Sequence, residues 1–311
     1  MSIVNNLRIG VDLGGTKIEG IVLRGEAEVV RRTRVATPSA RYQDTVAALA
    51  ELVAGLEQAA GQAGLPVGIG HPGAISPASG RIMNANSVCL NGQLLQQDLE
   101  QALGRPLRLA NDANCLAVSE AYDGAAAGAF CSFAVILGTG CGGGVVVDGR
   151  LQSGANAVGG EWGHNPLPWP RPEWGEHPGP LCWHGLHGCL ETWLSGVGLA
   201  GEHSRRTGEA VDGETVVRRA EAGDAAALVT MERYEDRLAR ALASVINLLD
   251  PQVIVLGGGV SRVQRLYRNV PALWGRWVFS DQVQTRLLPA RHGDSSGVLG
   301  AARLWPLPGP L

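Results

Sequence analysis

Short, fully apolar runs alternate along this chain with longer segments whose apolar residues recur at helical spacing, a pattern typical of α/β proteins. Residues 7–13 are apolar enough for a buried strand and end in a glycine-rich turn at 14–17. An apolar run resumes at 18–23, so the pattern predicts a hairpin. A β-rich run follows near 29–36, and residues 42–63 carry apolar positions three and four apart, as in a helix.

The order of strand, glycine loop and strand occurs a second time. Residues 133–137 and 145–148 are apolar, and residues 138–144 between them form a glycine loop. This repetition predicts two related halves with a boundary around residues 113–130. A long helix with an apolar face is predicted over 225–249, before Asp-Pro stops it.

The predicted fold class is therefore α/β in two lobes. We expect an N-terminal lobe of residues 1–115 and a C-terminal lobe of residues 116–295, which contains a metal loop at 164–189. The last helix, near 296–304, is expected to pack back on the N-terminal half, so residues from about 296 to 311 are assigned to the first lobe.

Composition narrows the class of protein further. The chain has 311 residues, of which 45% are hydrophobic and 18% charged, and it is therefore globular rather than disordered. Its net charge of -3 gives no reason to expect nucleic acid or an anionic membrane as a partner. No apolar run reaches the roughly 20 residues that span a bilayer, and the N-terminus does not resemble a secretory signal. Four scattered cysteines are expected to be reduced thiols in a cytoplasmic protein.

Two glycine loops have the chemistry of phosphate-binding turns, although each could also be a plain hairpin turn. Glycine lets backbone N–H groups face phosphate oxygens, and Asp12 before the first loop could approach Mg²⁺ through water. The second loop contains a formal G-x-G-x-x-G, but a strand follows it where a dinucleotide fold requires a helix. A third glycine run follows the strand at 253–256 and could face a nucleotide or merely allow close packing. The candidate nucleotide-binding residues are Asp12, Gly14, Gly15, Thr16, Lys17, Gly138, Thr139, Gly140, Cys141, Gly142, Gly257, Gly258 and Gly259.

Asn111 and Asp112 form the best candidate for a catalytic pair. They follow a predicted strand at 107–110 and precede a predicted helix at 113–127. A carboxylate at a strand end, facing a cleft between lobes, can take the proton from an attacking hydroxyl. Asp112 could instead only cap the helix, and the two roles are compatible if one carboxylate oxygen remains free.

A segment from Glu161 to Glu191 combines zinc-type donors with two carboxylates. Zinc prefers thiolate and imidazole ligands in a tetrahedral set. A folded metal loop would bring Glu161 and Glu191, at the two ends of the segment, close together. Two neighbouring carboxylates are suited to the recognition of a polyhydroxylated small molecule. His187 and His177 could each replace one imidazole, and the segment could also be a loop without a metal. The predicted ligands are His164, Cys182, His184 and Cys189.

Together these motifs resemble the ROK family (repressors, open reading frames and sugar kinases). The resemblance implies the actin-like ATPase fold (ribonuclease-H-like), two lobes around a central cleft, ATP with Mg²⁺, structural Zn²⁺ and commonly a homodimer. The family pattern at the metal is His with Cys-x-Cys-Gly-x-x-Gly-Cys, and His184 stands here at the second cysteine. The residues that carry the resemblance are 12–17, 72–73, 111–114, 138–140, 159–164 and 185–191.

The resemblance extends to the bacterial fructokinase branch, which also tends to phosphorylate mannose, through residues 84–92, 161–169 and 292–297. It implies phosphoryl transfer from ATP to the 6-hydroxyl of D-fructose with Asp112 as the general base. Within the family, a glucokinase or an N-acetylglucosamine kinase is the alternative. The residues expected to bind the sugar are Gly73, Asn86, Asn111, Asp112, Glu161, His164 and Glu191.

Two other classes of protein remain open. ROK repressors carry a helix-turn-helix domain ahead of the first glycine strand, and only about six residues precede that strand here, so DNA binding is not expected. A sugar-binding protein without catalysis is disfavoured because Asp112 and both phosphate loops are present.

Overall fold

A computed structural model describes residues 6–38 and 40–306 of the chain. The strands are β1 (Leu7–Leu13), β2 (Lys17–Arg24), β3 (Glu28–Ala36), β4 (Val67–His71), β5 (Ala74–Ile75), β6 (Ile82–Met83), β7 (Arg108–Asn111), β8 (Cys131–Leu137), β9 (Cys141–Val147), β10 (Arg150–Leu151), β11 (Val253–Gly257) and β12 (Arg286–Pro289). The α-helices are α1 (Tyr42–Ala60), α2 (Leu95–Leu103), α3 (Asp112–Tyr122), α4 (Glu191–Leu194), α5 (Gly196–Thr207), α6 (Gly213–Glu221), α7 (Ala225–Leu249), α8 (Leu266–Trp274) and α9 (Ser296–Arg303).

The chain folds into two compact units. The first contains the residues up to Ser119, a short insert at Ser153–Gly159 and the residues from Ser295 onward, and the second contains Glu120–Gln152 and Gly160–Asp294. Each unit has its own hydrophobic core. Within the described residues, no helix is long and apolar enough to cross a membrane.

The first unit is built on a sheet with the strand order β3-β2-β1-β4-β7. Strands β1 and β2 form the predicted antiparallel hairpin, whereas β4 lies parallel to both β1 and β7. Helix α9 packs on this sheet, as predicted, and glycines allow a very close approach. A Cβ atom added to Gly68 would lie 1.9 Å from the carbonyl oxygen of Ala301, and one on Gly10 would lie 2.2 Å from that of Val298.

The second unit repeats the arrangement in a sheet with the order β10-β9-β8-β11-β12. Strands β8 and β9 are again an antiparallel hairpin, and β11 again lies parallel to its two neighbours. Both sheets therefore place an antiparallel pair beside parallel strands in the same order, which supports the two related halves inferred from the repeated pattern. Helix α7 has the predicted bounds and contributes much of the core of this unit.

Several predicted boundaries were wrong, and the helix expected over 42–63 is α1, which ends at Ala60. The glycine loop expected at 138–144 is only three residues long, because β9 already begins at Cys141 and pairs there with Leu137. Glycines 142–144 are strand residues, and glycine is not by itself a loop signal when backbone hydrogen bonds are available. The helix expected over 113–127 is α3, which starts one residue earlier and ends at Tyr122.

Candidate functional site

The turn between β1 and β2 presents polar groups to solvent. Gly14 N–H donates to the carbonyl of Lys17 at 3.0 Å, which closes the turn, and the Thr37 hydroxyl donates to the Gly14 carbonyl at 2.7 Å. Gly15, Thr16 and Lys17 are exposed at its tip. Exposed backbone N–H groups beside a lysine are suited to a phosphate, so the geometry is compatible with the predicted role of this loop.

Asp12 lies just below this turn with little contact with solvent. A Cβ atom added to Gly70 or Gly297 would lie 3.6 Å or 3.1 Å from its carboxylate, so two glycines make room for the side chain. Burial, together with the negative charges of Asp112 and Glu19, raises the pKa of Asp12 to about 6, although Lys17 opposes this. An acid whose ionised form is disfavoured by nearby acids is a candidate for binding a divalent cation, which would relieve the repulsion.

Asn111 and Asp112 stand where β7 ends and α3 begins. The Asn111 amide donates to the Gly73 carbonyl at 3.0 Å, and its Oδ1 accepts from the N–H of Ala113 at 2.8 Å. Oδ1 of Asp112 accepts from the same N–H, also at 2.8 Å. Asp112 is thus the first residue of the helix rather than a flanking cap, and Asn111 shares the capping contact that was predicted for Asp112 alone.

The carboxyl group of Asp112 has the electrostatics of a proton acceptor. Burial raises its pKa, and hydrogen bonds from backbone N–H groups partly oppose the shift. The residue nevertheless exposes more than a third of its surface. A carboxylate that is open to solvent yet surrounded by protein on its other sides can reach a substrate hydroxyl and is more basic than in water.

Gly73 and Asn86 lie on the segments that follow β4 and β6. Gly73 has a φ of +76°, and a Cβ atom there would lie 2.5 Å from the Met83 carbonyl, so the close approach of these segments requires glycine. Asn86 lines a cavity of about 390 Å³ in the first unit, together with Gly15 of the turn between β1 and β2. The other lining residues are Leu13, Thr37, Thr45, Ser87, Val88, Cys89 and Leu90.

The turn between β8 and β9 is the counterpart of the first hairpin turn. Gly138 N–H donates to the Gly140 carbonyl at 3.0 Å, and Thr139 is the residue between them. The N–H of Cys141 is engaged by Oε2 of Glu191 at 3.0 Å. Cys141 and Gly142 are the first residues of β9, so they are strand residues and not part of the turn itself.

Gly257, Gly258 and Gly259 follow one another at the end of β11. Gly258 has a φ of +83°, and a Cβ atom on it would lie 2.6 Å from the Leu137 carbonyl. Close packing against β8 therefore accounts for this glycine. A Cβ atom on Gly259 would meet nothing within 4 Å, which leaves its backbone accessible to a ligand.

The predicted zinc ligands converge in the second unit. Their ligand atoms all lie within 4.8 Å of one another. Sγ of Cys182 is 3.7 Å from Nδ1 of His164, and Sγ of Cys189 is 3.8 Å from Nε2 of His184. Tetrahedral zinc with ordinary bond lengths separates sulfur from nitrogen by about 3.6 Å, so the donor set and its spacing fit Zn²⁺.

The other candidate imidazoles are not part of this cluster. Nδ1 of His187 lies 2.9 Å from the Gly179 carbonyl, and the group that the structure assembles contains His184 in its place. His177 precedes a cis proline and is likewise outside the cluster. Glycines 185 and 188 both have positive φ, which allows the chain to turn tightly around the ligand atoms.

Glu191 begins α4 and is held from two sides. Its Oε1 accepts from the indole N–H of Trp183 at 3.1 Å, while its Oε2 accepts from Cys141 N–H.

His164 ends a short 3₁₀ turn, Trp162–His164, that is anchored by a hydrogen bond from the Trp162 indole to the Gly142 carbonyl at 3.1 Å. Burial lowers the pKa of His164, although Glu191 opposes the shift. Glu161 lies immediately before this turn. Burial raises the pKa of Cys141, and the charges of Glu191 and Glu161 add to this shift.

The structure also contains a buried ionic cluster that sequence reasoning missed. Glu176, on the segment leading to the predicted zinc ligands, accepts from Nε of Arg237 at 2.7 Å and from a guanidinium nitrogen of Arg240 at 2.8 Å, and all three side chains are almost fully buried. Arg240 also donates to the carbonyls of Pro168 and Trp169. The signal in the sequence was a group of charged residues, Glu235, Asp236, Arg237 and Arg240, within a long helix that is rich in apolar residues.

The similarity of this chain to known proteins extends over nearly its whole length. Residues 8–307 match the profile of the ROK family. The chain is 38% identical over 297 residues to an N-acetyl-D-glucosamine kinase of Pectobacterium atrosepticum, covering 95% of this chain and 97% of that one. Among solved structures it is similar to a ROK hexokinase from Thermus thermophilus, with a TM-score of 0.82, 34% identity and coverage of 95% and 96%. It is also similar to a ROK family glucokinase from Streptomyces griseus in complex with glucose and AMPPNP, with a TM-score of 0.78, 29% identity and coverage of 96% and 98%.

Proposed function

We propose that this chain, which belongs to the ROK family, is a sugar kinase that phosphorylates N-acetyl-D-glucosamine with ATP. The fold is the actin-like ATPase fold, as predicted. The relatives also support the general assignment as a sugar kinase. The single observation that carries the choice of sugar is the 38% identity to an N-acetyl-D-glucosamine kinase over nearly the full length of both chains.

The sequence motifs had favoured fructose, and the comparisons do not support that choice. The residues behind it, at 84–92, 161–169 and 292–297, include Asn86, Glu161 and His164 of the candidate site, so they indicate a sugar site without specifying which sugar it binds. The alternative given with that prediction, an N-acetylglucosamine kinase, agrees better with the relatives. The homodimer, the cytoplasmic location and the absence of nucleic-acid binding stay predictions.

In the proposed reaction, Asp112 accepts the proton of the sugar 6-hydroxyl as that oxygen attacks the terminal phosphorus of ATP. Its surroundings raise the pKa of the carboxyl, which makes it a better base than an ordinary aspartate. Asn111 holds the strand end in place through Gly73 and Ala113 and is proposed to orient a hydroxyl beside the base. Gly73 and Asn86 would border the sugar in the same unit.

The phosphates of ATP are proposed to lie against the two hairpin turns. In the first unit, the exposed N–H groups and Lys17 at the tip of the turn would neutralise phosphate oxygens, while Asp12 would hold Mg²⁺ through water. Mg²⁺ would neutralise charge on the transferred phosphoryl group. In the second unit, the turn at Gly138–Gly140 and the accessible Gly259 would contribute backbone groups to the nucleotide.

The remaining sugar hydroxyls are proposed to be bound by Glu161, His164 and Glu191 of the second unit. His164 would use one ring nitrogen for Zn²⁺, since its Nδ1 lies in the metal cluster, and its other ring atoms would be left for the sugar. Zn²⁺ would act structurally by fixing the loop that carries this residue. Removal of the metal is therefore expected to raise KM for the sugar more than KM for ATP.

The test is a coupled ADP-release assay over N-acetylglucosamine, N-acetylgalactosamine, glucose, mannose and fructose. We expect the highest kcat/KM with N-acetylglucosamine. A clear preference for fructose or glucose would refute the proposed substrate and leave the sugar-kinase assignment in place. Absence of ADP release with every sugar would refute the enzymatic function itself.

A further inference from the structure

We propose that Trp183 is a positioning residue for sugar recognition, acting through a hydrogen bond that holds the carboxylate of Glu191 in one orientation. This inference rests on the proposed function, in which Glu191 binds a sugar hydroxyl. Trp183 is not among the residues that the sequence motifs or the family resemblance assign to the site.

The first observation is that each oxygen of Glu191 has its own donor. Oε1 accepts from the Trp183 indole at 3.1 Å, and Oε2 accepts from the backbone N–H of Cys141 at 3.0 Å. Two donors on opposite oxygens prevent rotation of the carboxylate group. A carboxylate can accept about four hydrogen bonds, so acceptor sites remain for a sugar hydroxyl.

The second observation concerns space on the β9 side of this carboxylate. A Cβ atom added to Gly140 would lie only 2.8 Å from Oε2 of Glu191. The carboxylate is therefore fitted closely against the hairpin turn on one side, where its donor is a rigid backbone group. The indole of Trp183 is the donor on the other side, and it is a side chain whose position depends on the loop that carries it.

The third observation is the placement of Trp183 between two metal ligands, Cys182 and His184. Its ring meets the His164 ring edge to face, with 5.2 Å between centroids and an angle of 90°. If a metal bound the loop on both sides of Trp183, it would hold the indole N–H within hydrogen-bonding distance of Glu191. This gives a physical route by which the metal loop acts on the sugar site.

The fourth observation is that Trp183 is 62% exposed, which is unusual for so large an apolar side chain. It therefore contributes little burial to the core, and its one polar atom is used for Glu191. Leu186 on the same loop is also 62% exposed, and its side chain has no donor for a hydrogen bond to Glu191, so it provides a matched control.

The test compares Trp183→Phe, which keeps a ring but removes the donor, with Leu186→Ala. We expect Trp183→Phe to raise KM for N-acetylglucosamine about tenfold, equivalent to about 1.4 kcal/mol. Its kcat and its KM for ATP should change less than twofold, and its zinc content, measured by atomic absorption, should equal that of the wild type. Leu186→Ala should leave all four quantities unchanged.

A double-mutant cycle with Glu191→Gln tests whether the effect passes through Glu191. If it does, the double variant should have the same KM for N-acetylglucosamine as Glu191→Gln alone. Unchanged sugar KM in Trp183→Phe, additive losses in the cycle, or loss of zinc in Trp183→Phe would each overturn this inference while leaving the kinase assignment intact. A wild-type protein that phosphorylates none of the sugars would overturn the proposed function, and the inference with it.

Discussion

Replacement of Asp12 by asparagine is expected to make the protein more stable at alkaline pH while it removes the proposed Mg²⁺ contact. The two side chains have nearly the same shape, but asparagine carries no charge. Asp12 is disfavoured in its ionised form by burial and by the charges of Asp112 and Glu19. The substitution removes this unfavourable ionisation from the folded state.

The magnitude follows from the shift in pKa. The pKa of Asp12 is raised from its ordinary value of 3.8 to about 6. Because the pKa is higher in the folded state than in the unfolded state, ionisation of Asp12 lowers the free energy of unfolding. This loss is absent below about pH 4, grows as the pH rises and is complete above about pH 6. This rise in pKa corresponds to a loss of about 3 kcal/mol at most in the free energy of unfolding, because the side chain keeps some exposed surface. About half of this loss is already present at pH 5.

Urea denaturation of the wild type and Asp12→Asn in magnesium-free buffer at pH 5 and pH 8 measures this difference. We expect the variant to have the larger free energy of unfolding at both pH values and the greater advantage at pH 8. Asp281→Asn, at an exposed aspartate, controls for the loss of one negative charge. Addition of Mg²⁺ with a non-hydrolysable ATP analogue should then stabilise the wild type more than Asp12→Asn, because ligands stabilise the state to which they bind.

Two results would contradict this reasoning. If Asp12→Asn were no more stable than the wild type at pH 8, burial and repulsion would not act on this carboxyl as described. If its advantage were the same at pH 5 and pH 8, the gain would come from packing and not from ionisation. Equal stabilisation of both proteins by Mg²⁺ and the ATP analogue would remove Asp12 from the proposed magnesium site.

Three further predictions address the base, the metal and the packing of the last helix. Asp112→Asn should lower kcat by about 10²- to 10⁴-fold in the ADP-release assay and leave calorimetric ATP binding unchanged, and near-normal kcat would exclude it as the base. His184→Cys should retain zinc at higher chelator concentrations, since thiolate is a strong zinc ligand, and unaltered retention would argue against His184 as a ligand. Gly68→Ala should lower the free energy of unfolding by about 3 kcal/mol or more, because its Cβ would lie 1.9 Å from the Ala301 carbonyl. Gly55→Ala, in α1 with open space around it, should raise the same quantity by about 0.5–1 kcal/mol, and similar effects at the two glycines would contradict the close packing.

Features that depend on neighbouring residues were the most predictable from the sequence. Helix α7 has the expected bounds because Asp224 caps its first turn, with Oδ1 accepting from the Ala227 N–H at 2.7 Å, and Pro251 follows its end. Both hairpins were also predicted, since two apolar runs separated by a short glycine-rich turn have few alternatives. The ligand set His164, Cys182, His184 and Cys189 was predicted from spacing, and the structure brings its ligand atoms together.

Features that depend on contacts between distant residues were not predictable in the same way. Glu176 and Arg237 are 61 positions apart, and nothing in either local sequence indicates that the other will neutralise it. The hydrogen bond from Trp183 to Glu191 likewise depends on how the metal loop folds back over α4. The choice between fructose and N-acetylglucosamine depends on side-chain placement at ångström scale, which motif residues do not specify.

The division of the chain into units has a consequence for protein synthesis. Helix α9 is needed to cover Ile21 and Leu23 of β2, with which Val298 and Leu299 form a common apolar cluster. A ribosome releases β2 early, but it cannot supply this covering helix until residue 303 has been translated. The second unit, by contrast, is complete once residue 294 has emerged. The unit whose strands are translated first is therefore the one that is completed last, and a nascent chain exposes apolar residues of β2 until α9 has emerged.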